Sequence, residues 1–550
     1  MAEKIGKFGA SGLLVMLACG MTIFKFWQLD NDVWWILNCG RYVVETGTIP
    51  HEEFATIHEG LYFVMQQWLT AVIFWKIFSN FGADGLIFFA WLTGFILMFV
   101  YYKLCLYVSD DNKKISVIMS FSISIIAAIF FIVTRPWIIS TLLLLIEVFL
   151  LEKYFREKKI WTLCTLPLLS ALFINIHAAI WSMMIIVLLP FIAEILYRKI
   201  KPAREFEVKL LPLILTAAGI ILAGFINPYG LEAMTYVFRS TDPEIRLIVS
   251  EMKATDIDSL SGIFFFLFSG MLTVAFSKKN LPLRYFFLTF GIMILGFYSV
   301  RNIFLFLVLA TFPLACALKD WHPFDNIFNL PHKLFIPLFL LCIAEFYKVY
   351  LVAEGSIQEM HLPLKIIFCL SIIFLTCFIF FYRHEGKLFS EEIFILRRKP
   401  LIALVTLQLI IFLSISYFYT RAGKYEMYKA AAEFLLMKNR AEDIILWTGY
   451  NSGGYFQFYG IKTYIDTRAE LFLLANNHKK DIFNEYLNLK VGNLDYKEFF
   501  ARYNFTHIFI TTEDTIPYLL ISQDENYKLL FEYDFPDDKG HGRIFVPVKK

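Results

Sequence analysis

The run Leu29-Asp30-Asn31-Asp32-Val33-Trp34-Trp35, continuing to Gln66-Gln67-Trp68, is the polar and aromatic exception in the first two-thirds of this chain. Almost everything around it is hydrocarbon. It follows an apolar stretch over 8–28, itself preceded by a short basic N-terminus, Met1 to Lys7. No small-residue cleavage site follows, so 8–28 reads as an uncleaved first membrane helix and not as a removable signal peptide. The 29–67 segment is then a loop at the membrane surface that begins with two carboxylates.

Composition supports this reading. Of 550 residues, 58% are hydrophobic and 18% charged, and mean hydropathy is +0.60. Soluble domains are not so apolar, and runs of about 20 apolar residues mean membrane helices. Windows of roughly 19 residues predict about thirteen spans. They cover 8–28, 84–107, 115–134, 138–152, 161–176, 178–197, 210–226, 261–277, 284–299, 303–318, 333–352, 363–382 and 400–419. The stretch 68–81 is apolar but short, and is expected to be an interfacial or re-entrant helix. A net charge of +3 makes no case for nucleic acid. Of eight cysteines only Cys39 lies in a polar loop, and neither a disulfide framework nor a paired zinc site is evident.

Charge gives the topology. Basic clusters fall at every second loop: Lys113-Lys114, Lys153 to Lys159, Arg198 to Lys209, Lys278-Lys279 and Arg383 to Lys399. Loops rich in Lys and Arg stay cytoplasmic. The N-terminus is therefore expected inside and the 29–67 loop outside. An odd number of spans puts everything after Tyr419 outside as well. The chain thus divides into a membrane domain, 1–419, and an extracytoplasmic domain, 420–550. The second is charged and has ordinary globular patterning: an amphipathic helix over 426–438, strands over 443–447, 462–465, 507–511, 527–533 and 543–548, and helices over 476–489 and 494–503. Strands alternating with helices imply a small α/β domain.

Several residues could carry chemistry. Asp30 and Asp32, one residue apart, can share a divalent cation such as magnesium or manganese, or one can accept a proton while the other positions the acceptor. They could equally cap the helix expected over 33–46. Trp34, Trp35 and Tyr42 on that helix suit the headgroup level. Arg135, Asn175, His177, Asn227, Glu251 and Arg301 fall at expected outer helix ends or loops, where charges face a cavity, a partner or lipid phosphate. A carboxylate to activate a hydroxyl and an arginine to meet a leaving phosphate would together make a reaction cavity. His177 has no second histidine nearby, so a His-based metal site is weak. In the C-terminal domain, Gly449-Tyr450-Asn451-Ser452-Gly453-Gly454-Tyr455 is rich in turn residues. Asp466-Thr467-Arg468-Ala469-Glu470 ends a strand, where charged groups often face a crevice. No P-loop, dinucleotide fingerprint or serine-hydrolase elbow is present.

The order of these motifs resembles a known family. Leu29-Asp30-Asn31-Asp32-Val33-Trp34-Trp35, Gly40-Arg41-Tyr42, Gly47-Thr48-Ile49-Pro50 and Gln67-Trp68-Leu69 resemble the first outer loop of bacterial polytopic GT-C glycosyltransferases, in particular family-39-like membrane proteins. Thr134-Arg135-Pro136, Asn175-Ile176-His177, Asn227-Pro228-Tyr229-Gly230 and Arg301-Asn302 look like the family's later landmarks. Gly453-Gly454-Tyr455 and Ile465 to Glu470 look like its terminal domain. The resemblance spans nearly the whole chain. It implies a GT-C-like α-helical polytopic fold and transfer of a sugar from a polyprenyl-phosphate donor to an envelope glycan, lipid or protein on the outer leaflet of a bacterial plasma membrane. It makes Asp30 or Asp32 the base and places Arg135 and Arg301 on the lipid phosphate. Arg41, Gln67, Asn175, His177 and Asn227 are further substrate contacts, with Asp466 and Arg468 facing the acceptor. Two departures, Ile36 where a histidine is common and Glu52-Glu53 where an aspartate commonly follows the proline, weigh against a metal-dependent site. The rivals are a carrier or flippase, which would place charges near the midplane within a repeated sequence, and a non-catalytic envelope-assembly scaffold.

Overall fold

The computed structural model describes residues 29–131, 133–200, 208–240, 245, 249–320, 424–534 and 541–548. The spans expected over 8–28, 333–352, 363–382 and 400–419, and the basic cluster Arg383 to Lys399, lie outside the described residues.

Asp30 starts the first helix, α1 (Asn31–Thr46), by accepting a hydrogen bond from the Asp32 backbone N–H at 3.0 Å. The helix ends at Gly47, whose left-handed backbone (φ 68°) suits glycine. A second helix, α2 (Trp68–Val108), is interrupted at Gly82 (φ 65°). The expected short helix over 68–81 is therefore helical, and runs across that break into the span expected over 84–107. Next come α3 (Lys113–Phe130), α4 (Pro136–Glu157), α5 (Trp161–Ile176), α6 (Met183–Ile200) and α7 (Leu210–Gly224). Beyond them, α8 (Leu260–Lys278) and α9 (Leu283–Tyr298) precede the fully buried α10 (Ile303–Leu309). Pro136 opens α4 because the first helical position has no N–H bond to lose.

Among the described residues four segments are long and apolar enough to cross a membrane: Trp68–Val108, Ala178–Ile200, Ser261–Lys278 and Val300–Ala317. Ile115–Ser124, Trp161–Ile176, Leu210–Gly224 and Leu283–Tyr298 are shorter apolar helices. Leu168, Leu211, Leu222 and Ile294 stand on the outside of the bundle, as a lipid solvent allows. At one end of the bundle Arg284 ties three helices together. It donates to Glu152 of α4 at 2.7 and 2.9 Å and to Glu194 of α6 at 2.9 Å.

The C-terminal part is α/β. Its sheet has the order β2-β1-β3-β5-β4, built from β1 (Ile445–Trp447), β2 (Lys462–Thr463), β3 (His507–Thr511), β4 (Tyr527–Asp534) and β5 (His541–Pro547). β1 runs parallel to β2 and β3, while β5 is antiparallel to β3 and β4. The central β3 is buried along its whole length. Helix α11 (Lys424–Lys438) packs on β4 and β5.

The short helix α12 (Gly453–Phe458) is the joint between the two parts. A Cβ on Gly454 would sit 3.3 Å from the Trp35 backbone N, and one on Gly453 would collide with the Ile465 carbonyl oxygen. Gly454 therefore lets α12 lie directly on α1, and Gly453 lets it lie against the backbone that follows β2. Trp34 packs against Tyr455 (4.6 Å between ring centroids) and Phe458 (5.4 Å). This revises the headgroup-level reading of Trp34 and Trp35. Both are buried in the joint, where their rings cover more apolar surface than the interface offers.

Candidate functional site: carboxylates around Arg135

Four separate elements bring charge to one place. Asp30 and Asp32 sit at the start of α1. Arg135 is the residue before Pro136 and is held extended (φ −128°, ψ 156°), as a residue preceding proline must be. Glu251 lies in the 3-10 turn Ser250–Met252, and Arg301 in the turn Val300–Asn302. Arg135 Nε donates to Asp30 Oδ1 at 2.8 Å, and Nη1 donates to Glu251 at 3.0 and 3.1 Å. Arg135 Nη2 lies 3.2 Å from Asp32 Oδ2. Arg301 stacks over Trp137 at 5.2 Å and stands 3.9 Å from Glu251. The side chains of Asp30, Asp32 and Arg135 are 22–25% exposed, so a ligand can reach them.

Three carboxylates against two guanidiniums leave the cluster one negative charge in excess when all are ionised. Burial, joined by the charges of Asp30 and Glu251, pushes the Asp32 carboxyl up to about 6 although Arg135 opposes it. Burial also works against the charge on Glu251, but the Arg301 and Arg135 guanidiniums outweigh it and hold that carboxyl below its usual range. The site thus contains one carboxyl poised near neutrality beside one held ionised.

The three carboxylates offer hard oxygen ligands of the kind magnesium or manganese takes. Here they converge on a guanidinium instead, and among the described residues no three His, Cys, Asp or Glu side chains are arranged to hold a metal ion. With Arg135 at their centre the residues do not fit a cation, and no step below uses one.

The remaining expected contacts lie elsewhere, and none touches Arg135. The Arg41 guanidinium donates to Asn38 at 2.7 Å and is sandwiched near Phe458 and Trp75. Gln67 is buried at the start of α2. Asn175 accepts from Trp68 Nε1 and donates to the carbonyls of Ala171 and Ile226, each at 2.7 Å. His177 Nδ1 lies 2.9 Å from Ser140 Oγ. Asn227 closes its own turn through Gly224, Tyr229 and Gly230. Arg41, Asn175, His177 and Asn227 are each engaged by neighbouring protein groups, as buried polar groups generally are.

Asp466 and Arg468 are buried at 0% and 2% exposure. Arg468 Nη1 donates to Glu53 Oε2 at 2.7 Å, and Asp466 accepts from the Arg468 side chain and from Gln457. Their bonding capacity is spent on an internal clamp rather than on a crevice. Glu53, the departure noted after Pro50, is the residue whose part went unseen. Its backbone neighbours Ala55 and Thr56 donate to it at 2.8 and 2.9 Å. Nothing in the local sequence marks its partner, which lies 415 residues further along the chain.

No family model matches the chain, and no curated protein matches it in sequence. Its fold does match solved structures. The archaeal oligosaccharyltransferase AglB from Archaeoglobus fulgidus, in complex with an inhibitory peptide and a dolichol-phosphate, aligns with 96% of this chain and 73% of its own (TM-score 0.52, 11% identity). The same organism's oligosaccharyltransferase tethered to an acceptor peptide aligns with 98% of this chain and 74% of its own (TM-score 0.53, 11% identity). At this identity the likeness is one of fold alone: the chain has a GT-C-like fold.

Proposed function

We propose that this chain is a membrane glycosyltransferase. It takes a sugar from a polyprenyl-phosphate donor and passes it to a hydroxyl-bearing envelope acceptor on the outer leaflet of a bacterial plasma membrane, with its N-terminus cytoplasmic and its C-terminal domain outside. The observation that supports this most is the convergence of Asp30, Asp32 and Glu251 on Arg135, within a fold shared with a dolichol-phosphate-binding oligosaccharyltransferase.

The chemistry follows from the charges. A carboxyl poised near 6 is well matched to taking a proton at neutral pH. Asp32 accepts the acceptor's hydroxyl proton, and the oxygen forms a bond to the anomeric carbon. The bond from that carbon to the donor phosphate oxygen breaks, and polyprenyl phosphate leaves with the electron pair. Arg301 has only one loose ion pair among the described residues, so it is the cation most available to the leaving phosphate. Arg135 joins it by exchanging a carboxylate for the phosphate. Asp30 holds Arg135 and caps α1.

The test is mass spectrometry of envelope glycolipids and glycans from cells carrying the wild-type chain, no chain, or the Asp30→Asn/Asp32→Asn chain. A sugar missing from both the deletion and the variant is the expected result. A sugar missing only from the deletion would replace the catalytic reading with a scaffold or carrier.

A further inference from the structure

The residue between the two aspartates holds an unspent hydrogen-bond donor. Asn31 is the first residue of α1, with Asp30 capping the helix and Asp32 following. Its carboxamide has a fixed orientation, because the Tyr425 hydroxyl donates to Asn31 Oδ1 at 2.7 Å. Tyr425 belongs to α11, so this bond runs from the C-terminal part of the chain to the start of α1. The tyrosine is itself held in place. Its ring packs against Trp34 (5.8 Å between centroids), Tyr428 (5.9 Å) and Tyr455 (6.0 Å).

With Oδ1 bound, the amide nitrogen points away from the tyrosine. Asn31 Nδ2 makes no hydrogen bond among the described residues. Neither does Asp30 Oδ2, since the bonds from the Asp32 backbone and from Arg135 Nε both end on Oδ1. Both side chains are partly exposed, so a ligand can reach them. An amide N–H and a carboxylate oxygen on adjacent residues are one donor and one acceptor, and a hydroxyl is both at once. A hydroxyl can therefore accept from Asn31 and donate to Asp30. A phosphate offers acceptors and negative charge, which Arg135 and Arg301 meet better than a carboxylate can.

We propose that Asn31 is a substrate-binding residue and Tyr425 its positioning residue: the Asn31 amide donates to a hydroxyl of the sugar being transferred, and Tyr425 holds the carboxamide in the orientation that presents it. The proposal rests on the reading of this cluster as the transfer site. It gives the C-terminal part of the chain a share in donor recognition, through α11.

Asn31→Leu keeps the size and removes the amide. Asn31→Asp keeps an acceptor for Tyr425 and removes the donor, and a carboxylate in the first turn favours a helix, so the fold is not expected to weaken. Tyr425→Phe keeps the ring and removes the hydroxyl. Envelope sugars from cells carrying each variant are measured by mass spectrometry, normalised to the amount of chain in the membrane. Binding of farnesyl phosphate, a polyprenyl phosphate without the sugar, is measured on each purified full-length chain. Product is expected to fall roughly fivefold or more with Asn31→Leu and with Asn31→Asp, and about threefold with Tyr425→Phe. Tyr425→Phe adds no further loss in the Asn31→Leu background, because both changes act on one interaction. Asn31→Leu and Tyr425→Phe bind farnesyl phosphate as the wild type does. Wild-type product with Asn31→Leu or Asn31→Asp, additive losses in the double variant, or weakened farnesyl phosphate binding by Asn31→Leu would overturn the proposal. If Asn31→Leu does not fold, Asn31→Asp and Tyr425→Phe, alone and combined, make the same comparison. An Asp32→Asn chain that still makes every envelope sugar would instead overturn the proposed function, so the two failures are distinct.

Discussion

Arg468 Nη1 lies 2.7 Å from Glu53 Oε2, although 415 residues separate them and both side chains are shielded from solvent. This contact joins the first loop to the C-terminal domain. Removing one partner leaves the other charge buried and uncompensated, which typically costs about 3–5 kcal/mol. Glu53→Gln and Arg468→Met are each expected to lower the melting temperature of the purified chain by several degrees. A Glu53→Leu/Asp466→Leu/Arg468→Met chain is expected to recover part of the loss. Single variants that melt with the wild type would show that the clamp carries no stability.

The Asp32 carboxyl titrates near 6, above its ordinary value of 3.8. If it accepts the proton, transfer falls as pH drops through about 6, and a pH–activity profile reads this directly. The effect on stability has the opposite sign. A raised folded-state value means that the folded chain binds the proton more tightly, so this contribution is full below pH 4 and is lost as pH rises through 6. Asp32→Asn mimics the protonated form. It is expected to melt with the wild type near pH 4 and above it at pH 7.5, by on the order of 1–2 kcal/mol after allowing for partial exposure.

The two arginines of the cluster should separate by phenotype. Arg301 has one ion pair at 3.9 Å, so Arg301→Ala is expected to weaken binding of a polyprenyl phosphate by about tenfold while barely changing the melting temperature. Arg135 is ion-paired with three carboxylates, so Arg135→Ala should also destabilise the fold. Lipid titration and thermal melting on the same samples check both expectations, and equal destabilisation by the two variants would contradict them.

The joint between the parts depends on the absence of a side chain. Because a Cβ at Gly454 already approaches the Trp35 backbone within 3.3 Å, Gly454→Val must push α12 off α1. Overpacking of this kind costs about 1–3 kcal/mol. Faster proteolysis of the C-terminal domain, followed by gel, is the expected sign.

Much of this was legible in one dimension. Hydrophobic run length located the helices from α2 to α10, and the short apolar run over 507–511 located β3 residue for residue. The gathering of charge was also legible in part. Carboxylates beside a span and an arginine before a proline stand out in an apolar chain; Asp30, Asp32 and Glu251 do converge on Arg135, and Arg301 joins them through Glu251. Asp466 and Arg468 show where such reading stops. A charged pair at a strand end looks the same whether it faces a crevice or a buried carboxylate.

What the sequence by itself determined is everything that depends on the solvent of each segment. Transfer of apolar surface out of water is local and additive, so it shows in any window of sufficient length. What only the tertiary structure decided is which charges cancel. Coulomb interactions act through space without regard to chain order, so the partners of Arg135 and Arg468 become visible only once α1, α4 and the strand ends are brought together.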